Sequence, residues 1–266
     1  MKLILIYNLI NTNPREPMKW DDVFCNTFKA ISQRHAATIK QQVDFLLPSM
    51  AMVNACRVND FEGFDPFIAA GKLTTEQMHH ATQRYHLGKT KSGQPIFWMI
   101  DDMMTPLDAH IGEGWISELL KRRDPILDFW DVQHCLFGLH LLGTVPSTQK
   151  PALGLGPSTQ SISIVESEAS AIVLSELFPE SLWMAYATTS HLSPDLLAPL
   201  EGQTVTIYPR TDPTLSTYVF FRDYAEIVRR CYDIDITIDA TLEDHATESQ
   251  KERCIDILDF LLDSLQ

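Results

Sequence analysis

The sequence predicts an α/β fold: a mainly parallel four-stranded sheet with helices on both faces in the C-terminal part, preceded by an α+β segment and a helical N-terminus. Three observations point there. After residue 160, short β-branched runs at 162–165, 182–186, 204–208 and 234–238 alternate with amphipathic stretches, the pattern of parallel strands joined by crossover helices. Between 61 and 143, strand-like and helix-like runs are mixed with turn residues. Residues 1–60 contain no glycine and place Val23, Phe24, Phe28 and Ile31, then Ile39, Val43, Phe45 and Leu46, at helical spacing. The chain divides on this reading into a helical segment 1–60, an α+β segment 61–143, a linker 144–160 and an α/β domain 161–266.

Each element has a local reason. Asp21 or Asp22 can cap the first helix, and Pro48 stops the second. FEGFDPF at 61–67 is a turn-rich entry, and Thr74 or Thr75 starts a helix over 74–83. Residues 84–87 and 96–100 read as two strands around the turn KTKSGQP. The runs 115–121 and 132–142 complete the α+β segment, with His134 and Cys135 as neighbours on a helix. GTVPSTQKPALGLGPSTQ at 143–160 is rich in Pro, Gly, Ser and Thr, as a linker or long surface loop is. Beyond it, helices are expected at 169–178, from Pro194, at 218–231 and at 248–265.

Composition limits the function classes. Of 266 residues, 45% are hydrophobic, enough for one large core or two ordinary ones. The net charge is −14 and uneven: residues 1–150 hold 15 Lys and Arg against 16 Asp and Glu, whereas residues 151–266 hold 6 against 19. An acidic second half repels phosphates, so nucleic-acid contact would use the first half or a bound cation. The five cysteines, Cys25, Cys56, Cys135, Cys231 and Cys254, are scattered without a CxxC pair, which argues for reduced thiols rather than a zinc ribbon or a disulfide framework. No run reaches the roughly 18 apolar residues that cross a bilayer. MKLILIYNLI is too short an apolar run, with no small-residue cleavage site after it, to be a leader. A cytoplasmic protein without membrane contact is expected.

The stretch SISIVESEASAIVLSEL at 161–177 carries the main functional signal. A β-branched strand ends on Glu166 and Glu168 and hands over to a helix. In open α/β sheets, ligands gather outside the carboxyl ends of the strands, so acids there face substrate or metal. The structural alternative is that both glutamates stabilise the first turn of the following helix, and that Asp212, before Pro213, serves a turn or cap. No P-loop or dinucleotide fingerprint is present, and the remaining histidines lack metal-ligand spacing. Phe97 and Trp98 can stack on bases or fill a core. Lys121, Arg122 and Arg123 can touch phosphate or complement a helix end.

The hairpin YHLGKTKSGQPIFWMID, the segments WISELLKRRD and HCLFGLHLL, the IVESEASA core and the closing CIDILDFLL together resemble a Toprim domain. More narrowly they resemble the primase-related Toprim proteins of Bacteroidetes mobile elements. The resemblance runs from about residue 65 to the C-terminus and leaves out the first segment, where no cysteine pattern represents the zinc finger that often precedes such modules. It implies that Glu166 is the family acid at the end of the first strand, acting with an Asp-x-Asp pair after the third strand to hold Mg²⁺ against a phosphate. Magnesium takes hard oxygen ligands and neutralises charge as phosphorus is attacked.

Here the pair reads Arg210-Thr211-Asp212, with an arginine at its first acidic position. Ala169 stands where many relatives have lysine, and Thr188-Thr189-Ser190 where they have a glycine-bearing turn. The expectation is a primase-related protein of a mobile element or phage with a degenerate metal site and a binding or accessory role in DNA replication or transfer, its partner nucleic acid or a replication protein. Two alternatives stand beside it. One is an active Mg²⁺-dependent nucleotidyltransferase or nuclease using Glu166, Glu168 and Asp212. The other is an acidic protein-interaction module without nucleic acid.

Overall fold

The structure, a computed structural model, describes residues 48–112, 114–123, 132–144 and 161–265. The two helices expected before Pro48, and the linker apart from Thr144, lie outside the described residues.

Helix α1 (Met50–Ala55), a 3-10 turn at Glu62–Phe64 and the short α2 (Asp65–Ala69) lead into α3 (Thr75–Arg84). Helix α3 starts as expected: Thr74 accepts from the Gln77 amide, and the Gln77 side chain accepts from the Thr74 N–H. This capping box satisfies two of the donors that every helix start leaves open. Because α3 runs through Arg84, the first strand of the hairpin is not 84–87 but β1 (Gly88–Lys89). The Leu87 amide donates back to the Thr82 carbonyl, and His86 takes a φ of 54°, so the chain turns before it can extend.

Strands β1, β2 (Pro95–Ile100), β3 (Pro106–Ile111) and β4 (Gly114–Trp115) form an antiparallel sheet in chain order, followed by α4 (Ile116–Arg123). The unbroken apolar run of β2 reflects burial on both faces. Ile96, Trp98 and Ile100 pack with Met52, Val53, Ile116 and Leu120, while Phe97 and Met99 face the larger core. Phe97 and Trp98 are therefore core residues. The run 132–142 is not a helix: Phe137 instead exchanges both backbone hydrogen bonds with Ala185, and a 3-10 turn follows at Leu139–Thr144. Gly138 makes this possible. Its φ is 86°, and a Cβ there would lie 3.0 Å from the Trp183 carbonyl oxygen.

The second sheet is built from β5 (Ser161–Val165), α5 (Glu168–Leu177), β6 (Ser181–Ala185), a 3-10 segment at Pro194–Leu200, β7 (Thr204–Ile207), α6 (Ser216–Cys231) and β8 (Asp235–Ile238). Its four strands are parallel in the order β6-β5-β7-β8. Ile162 and Ile164 stand beside Leu182 and Met184 on one side, and beside Val205 and Ile207 on the other. The β5-to-β6 and β7-to-β8 connections leave the central pair in opposite directions, so right-handed crossovers put α5 and α6 on opposite faces. The expected four-stranded parallel sheet is present, with boundaries moved by a residue or two.

The C-terminal segment is not one helix. Helices α7 (Thr241–His245) and α8 (Glu248–Glu252) precede α9 (Ile257–Asp263). Cys254 takes a φ of 53° and interrupts the run, after which Asp256 accepts from the Asp259 amide and starts α9 afresh. Helices α3 and α9 pack on α5. One continuous cluster of buried apolar side chains extends from Phe61 to Leu258 and joins the two sheets.

Candidate functional site

Strand order fixes where a site can form. The direction of winding reverses between β5 and β7, and a crevice opens outside the carboxyl ends of strands at such a point. Glu166 follows directly on β5 and Arg210 comes shortly after β7, so neighbouring strand ends bring the two together. Arg210 Nε lies 3.3 Å from Glu166 Oε2. Glu166 is the more buried partner, its side chain 24% exposed against 49% for Arg210. Burial pushes the Glu166 carboxyl above its ordinary range, with Arg210 pulling the other way.

Tyr186, just past β6, brings its hydroxyl to the same place. The ring is buried, its hydroxyl is directed at the Glu166 carboxylate, and burial followed by that negative charge holds its pKa high. Asp256 adds a second negative charge near Glu166, and its carboxylate accepts from the Ser170 hydroxyl on α5. Among the described residues, the crevice thus holds two acids, one guanidinium and one phenol directed at Glu166.

Glu168 points elsewhere. Ser167 caps α5 by accepting from the Ser170 amide, which makes Glu168 the first helical residue and buries it. His110 Nδ1, on β3 of the antiparallel sheet, lies 2.8 Å from Glu168 Oε1. Their hydrogen bond raises the His110 pKa above the ordinary histidine value, against the effect of burial. The imidazole also stacks on Trp115, with ring centroids 5.0 Å apart.

Asp212 is committed to the start of α6. Its carboxylate accepts from the Thr214, Ser216 and Thr217 amides at 2.8, 3.2 and 2.7 Å, and from the Thr214 hydroxyl at 2.5 Å. Burial works to raise its pKa, but these bonds from Thr214 and Thr217 hold the carboxyl well below the usual range.

The acids expected to hold magnesium, Glu166, Glu168 and Asp212, therefore each serve a different protein partner. Among the described residues, no three His, Cys, Asp or Glu side chains are grouped to hold a metal ion. Magnesium needs carboxylate oxygens free for direct or water-mediated ligation, and this arrangement does not fit it.

Lys121, Arg122 and Arg123 close α4, away from this crevice in sequence. Arg122 is exposed, with a long 3.9 Å contact to Glu118 one turn earlier, and Lys121 is half-buried. His134 and Cys135 lie in irregular chain, and burial pushes the Cys135 thiol up and out of the reactive range. His80 pairs with Glu176 at 2.6 Å between α3 and α5.

His110, Tyr186, Ser170 and Asp256 carry no sequence signal of function. Tyr186 reads as the end of a strand, His110 as one polar residue in an alternating run, and Asp256 as the cap its DILD motif makes it. Only the strand order brings them to the two acids of 166–168.

Residues 106–211 match the model of a domain of unknown function, DUF6371. The match takes in His110, Glu166, Glu168, Tyr186 and Arg210 and stops one residue short of Asp212. No curated protein and no solved structure matches the chain. Among the described residues, no helix is long and apolar enough to cross a membrane.

Proposed function

We propose that the chain is a Toprim-like, primase-related protein of a mobile element or phage, whose role in DNA replication or transfer is to bind rather than to transfer phosphoryl groups. The observation that carries this reading is the Arg210–Glu166 ion pair at the switch point of the parallel sheet. A guanidinium occupies the oxygen that a divalent cation would need, and repels that cation. The four hydrogen bonds on Asp212 and the His110 contact of Glu168 support the same reading, because they withdraw the other two acids. Contact with nucleic acid then falls to the basic end of α4, where Arg122 has little to hold it back, and not to the acidic second half.

Two measurements test this. Fluorescence anisotropy with single-stranded DNA and RNA in EDTA is expected to show binding that weakens with salt and is lowered several-fold in a K121A/R122A variant. Calorimetric titration with Mg²⁺ and Mn²⁺ is expected to show no tight site. Tight cation binding abolished by E166A, together with primer synthesis or nicking, would overturn the binding-only reading.

A further inference from the structure

Residues 136–142 run from the edge of the parallel sheet to the end of α3. Leu136, Phe137, Leu139 and Leu141 are buried along this short strap. Phe137 exchanges two backbone hydrogen bonds with Ala185 of β6, and its ring stacks on Tyr85 with centroids 5.3 Å apart. The Tyr85 hydroxyl in turn donates to the Trp183 carbonyl on the same strand. The remaining anchor is His140, 2% exposed, whose Nε2 lies 3.1 Å from the Arg84 carbonyl oxygen. A carbonyl only accepts, so Nε2 carries the proton of the neutral ring and Nδ1 carries the lone pair.

That Nδ1 is buried with no hydrogen-bond partner among the described residues. The same holds for Nδ1 of His86, whose ring centroid lies 5.2 Å from that of His140. The groups facing the two rings are Arg84 and Tyr85 at the end of α3 and Arg57 in the chain after α1. Among the described residues, no carboxylate acts on either ring. A proton added to His140 would turn Nδ1 into a buried donor without an acceptor and place a positive charge beside arginine. Both consequences oppose the packed arrangement.

We propose that residues 136–142 are a proton-operated strap, closed on β6 while His140 is neutral and released from it when His140 takes up a proton. Release breaks both hydrogen bonds on Ala185 and leaves the edge of β6 open to water. The next residue is Tyr186, whose hydroxyl is directed at Glu166. Proton uptake at the end of α3 is thereby coupled to access at the strand end that borders the crevice.

The direction of the response follows from the same surroundings. Burial above all, with His86 and Arg84 adding to it, holds the His140 pKa down to about 4, against the hydrogen bond to the Arg84 carbonyl. A released ring returns to the ordinary value of about 6.5. Closure is therefore complete above that value and is lost as pH falls toward the lower one. Between pH 7.5 and pH 5 the open fraction rises about thirtyfold on these two values.

Native-state hydrogen exchange of the full chain, followed by NMR with intrinsic rates divided out, tests this. Protection of the Phe137 and Ala185 amides is expected to fall at least tenfold from pH 7.5 to pH 5, while amides of the central strand β5 keep theirs. H140Q retains a donor for the Arg84 carbonyl but does not titrate, so its protection at the same two amides should change less than threefold. Titration of the His140 ring-carbon shift in the wild type should place its pKa well below the ordinary histidine value. The wild-type profile and this titration need no variant to fold. Unchanged protection of Phe137 and Ala185 at pH 5, an equal fall in H140Q, an equal fall throughout β5, or a His140 that titrates at or above about 6.5 would overturn the proposal.

Discussion

The contact between His110 and Glu168 gives the sharpest test of how the two sheets are held together. His110 belongs to the antiparallel sheet and Glu168 to the first turn of α5, and the side chains are only 20% and 7% exposed. Removing the imidazole with H110A strands a buried carboxylate. Breaking a fully buried pair from one side costs about 3–5 kcal/mol, and the residual water access of His110 brings the expectation to about 2–3 kcal/mol. For a domain of this size that is a fall in Tm of about 5–10 °C. The double variant H110A/E168A should recover much of the loss, because no charge is then left without its partner.

The pH dependence carries a definite sign. The Glu168 contact makes folded His110 hold its proton more tightly than unfolded His110 does. Its stabilisation is therefore complete below the unfolded histidine pKa of about 6.5 and is lost as pH rises through the higher folded value. Differential scanning calorimetry of wild type and H110A should show a gap in Tm that is largest near pH 6 and narrows toward pH 9. A gap that widens with pH, or an H110A protein that melts with wild type at pH 6, would refute the ion-pair account.

Four further outcomes follow from the described contacts. R210M leaves Glu166 half-buried without a counter-charge, so it should destabilise at pH 7 by about 1–2 kcal/mol and much less at pH 4, where the raised Glu166 pKa lets the carboxyl protonate. R210D places an acid beside Glu166 and Asp256, and electron paramagnetic resonance should detect Mn²⁺ binding in this variant that wild type lacks; equal binding by both would contradict the blocking role of Arg210. D212A removes the carboxylate that organises the start of α6 and should cost about 1–3 kcal/mol at neutral pH, a difference that disappears as acid protonates Asp212 in wild type. In thiol labelling, exposed Cys231 and Cys254 should react readily in the native state, and partly buried Cys135, whose thiol burial pushes up, at least tenfold more slowly.

Much of the fold was legible because the signals were local. The capping pair Thr74 and Gln77, the alternation of β-branched runs with helices after 160, and the strand ending at Val165 are each specified by residues close together in the chain. What was not legible depends on distant partners. The run 132–142 has the apolar content of a helix, yet Phe137 pairs with the edge of β6, and nothing near it in sequence announces that. The break at Cys254 follows from a non-glycine residue at positive φ, which composition does not signal. The site divides the same way. Glu166 at a strand end and Arg210 after the third strand could be read as neighbours, whereas Glu168 shows its allegiance to His110 only once the two sheets pack.

The pairing of Glu166 with Arg210 also bears on what kind of chemistry the crevice can support. A magnesium ion supplies two positive charges that arrive with the substrate and leave room for oxygens to exchange. Arg210 supplies a single charge that is covalently fixed to the chain. Even so, burial outweighs it in setting the Glu166 pKa, and Asp256 adds a further negative charge beside Glu166. Among the described residues, the crevice thus carries two acids against one guanidinium, and that guanidinium is already engaged by Glu166. A phosphate would be repelled from it.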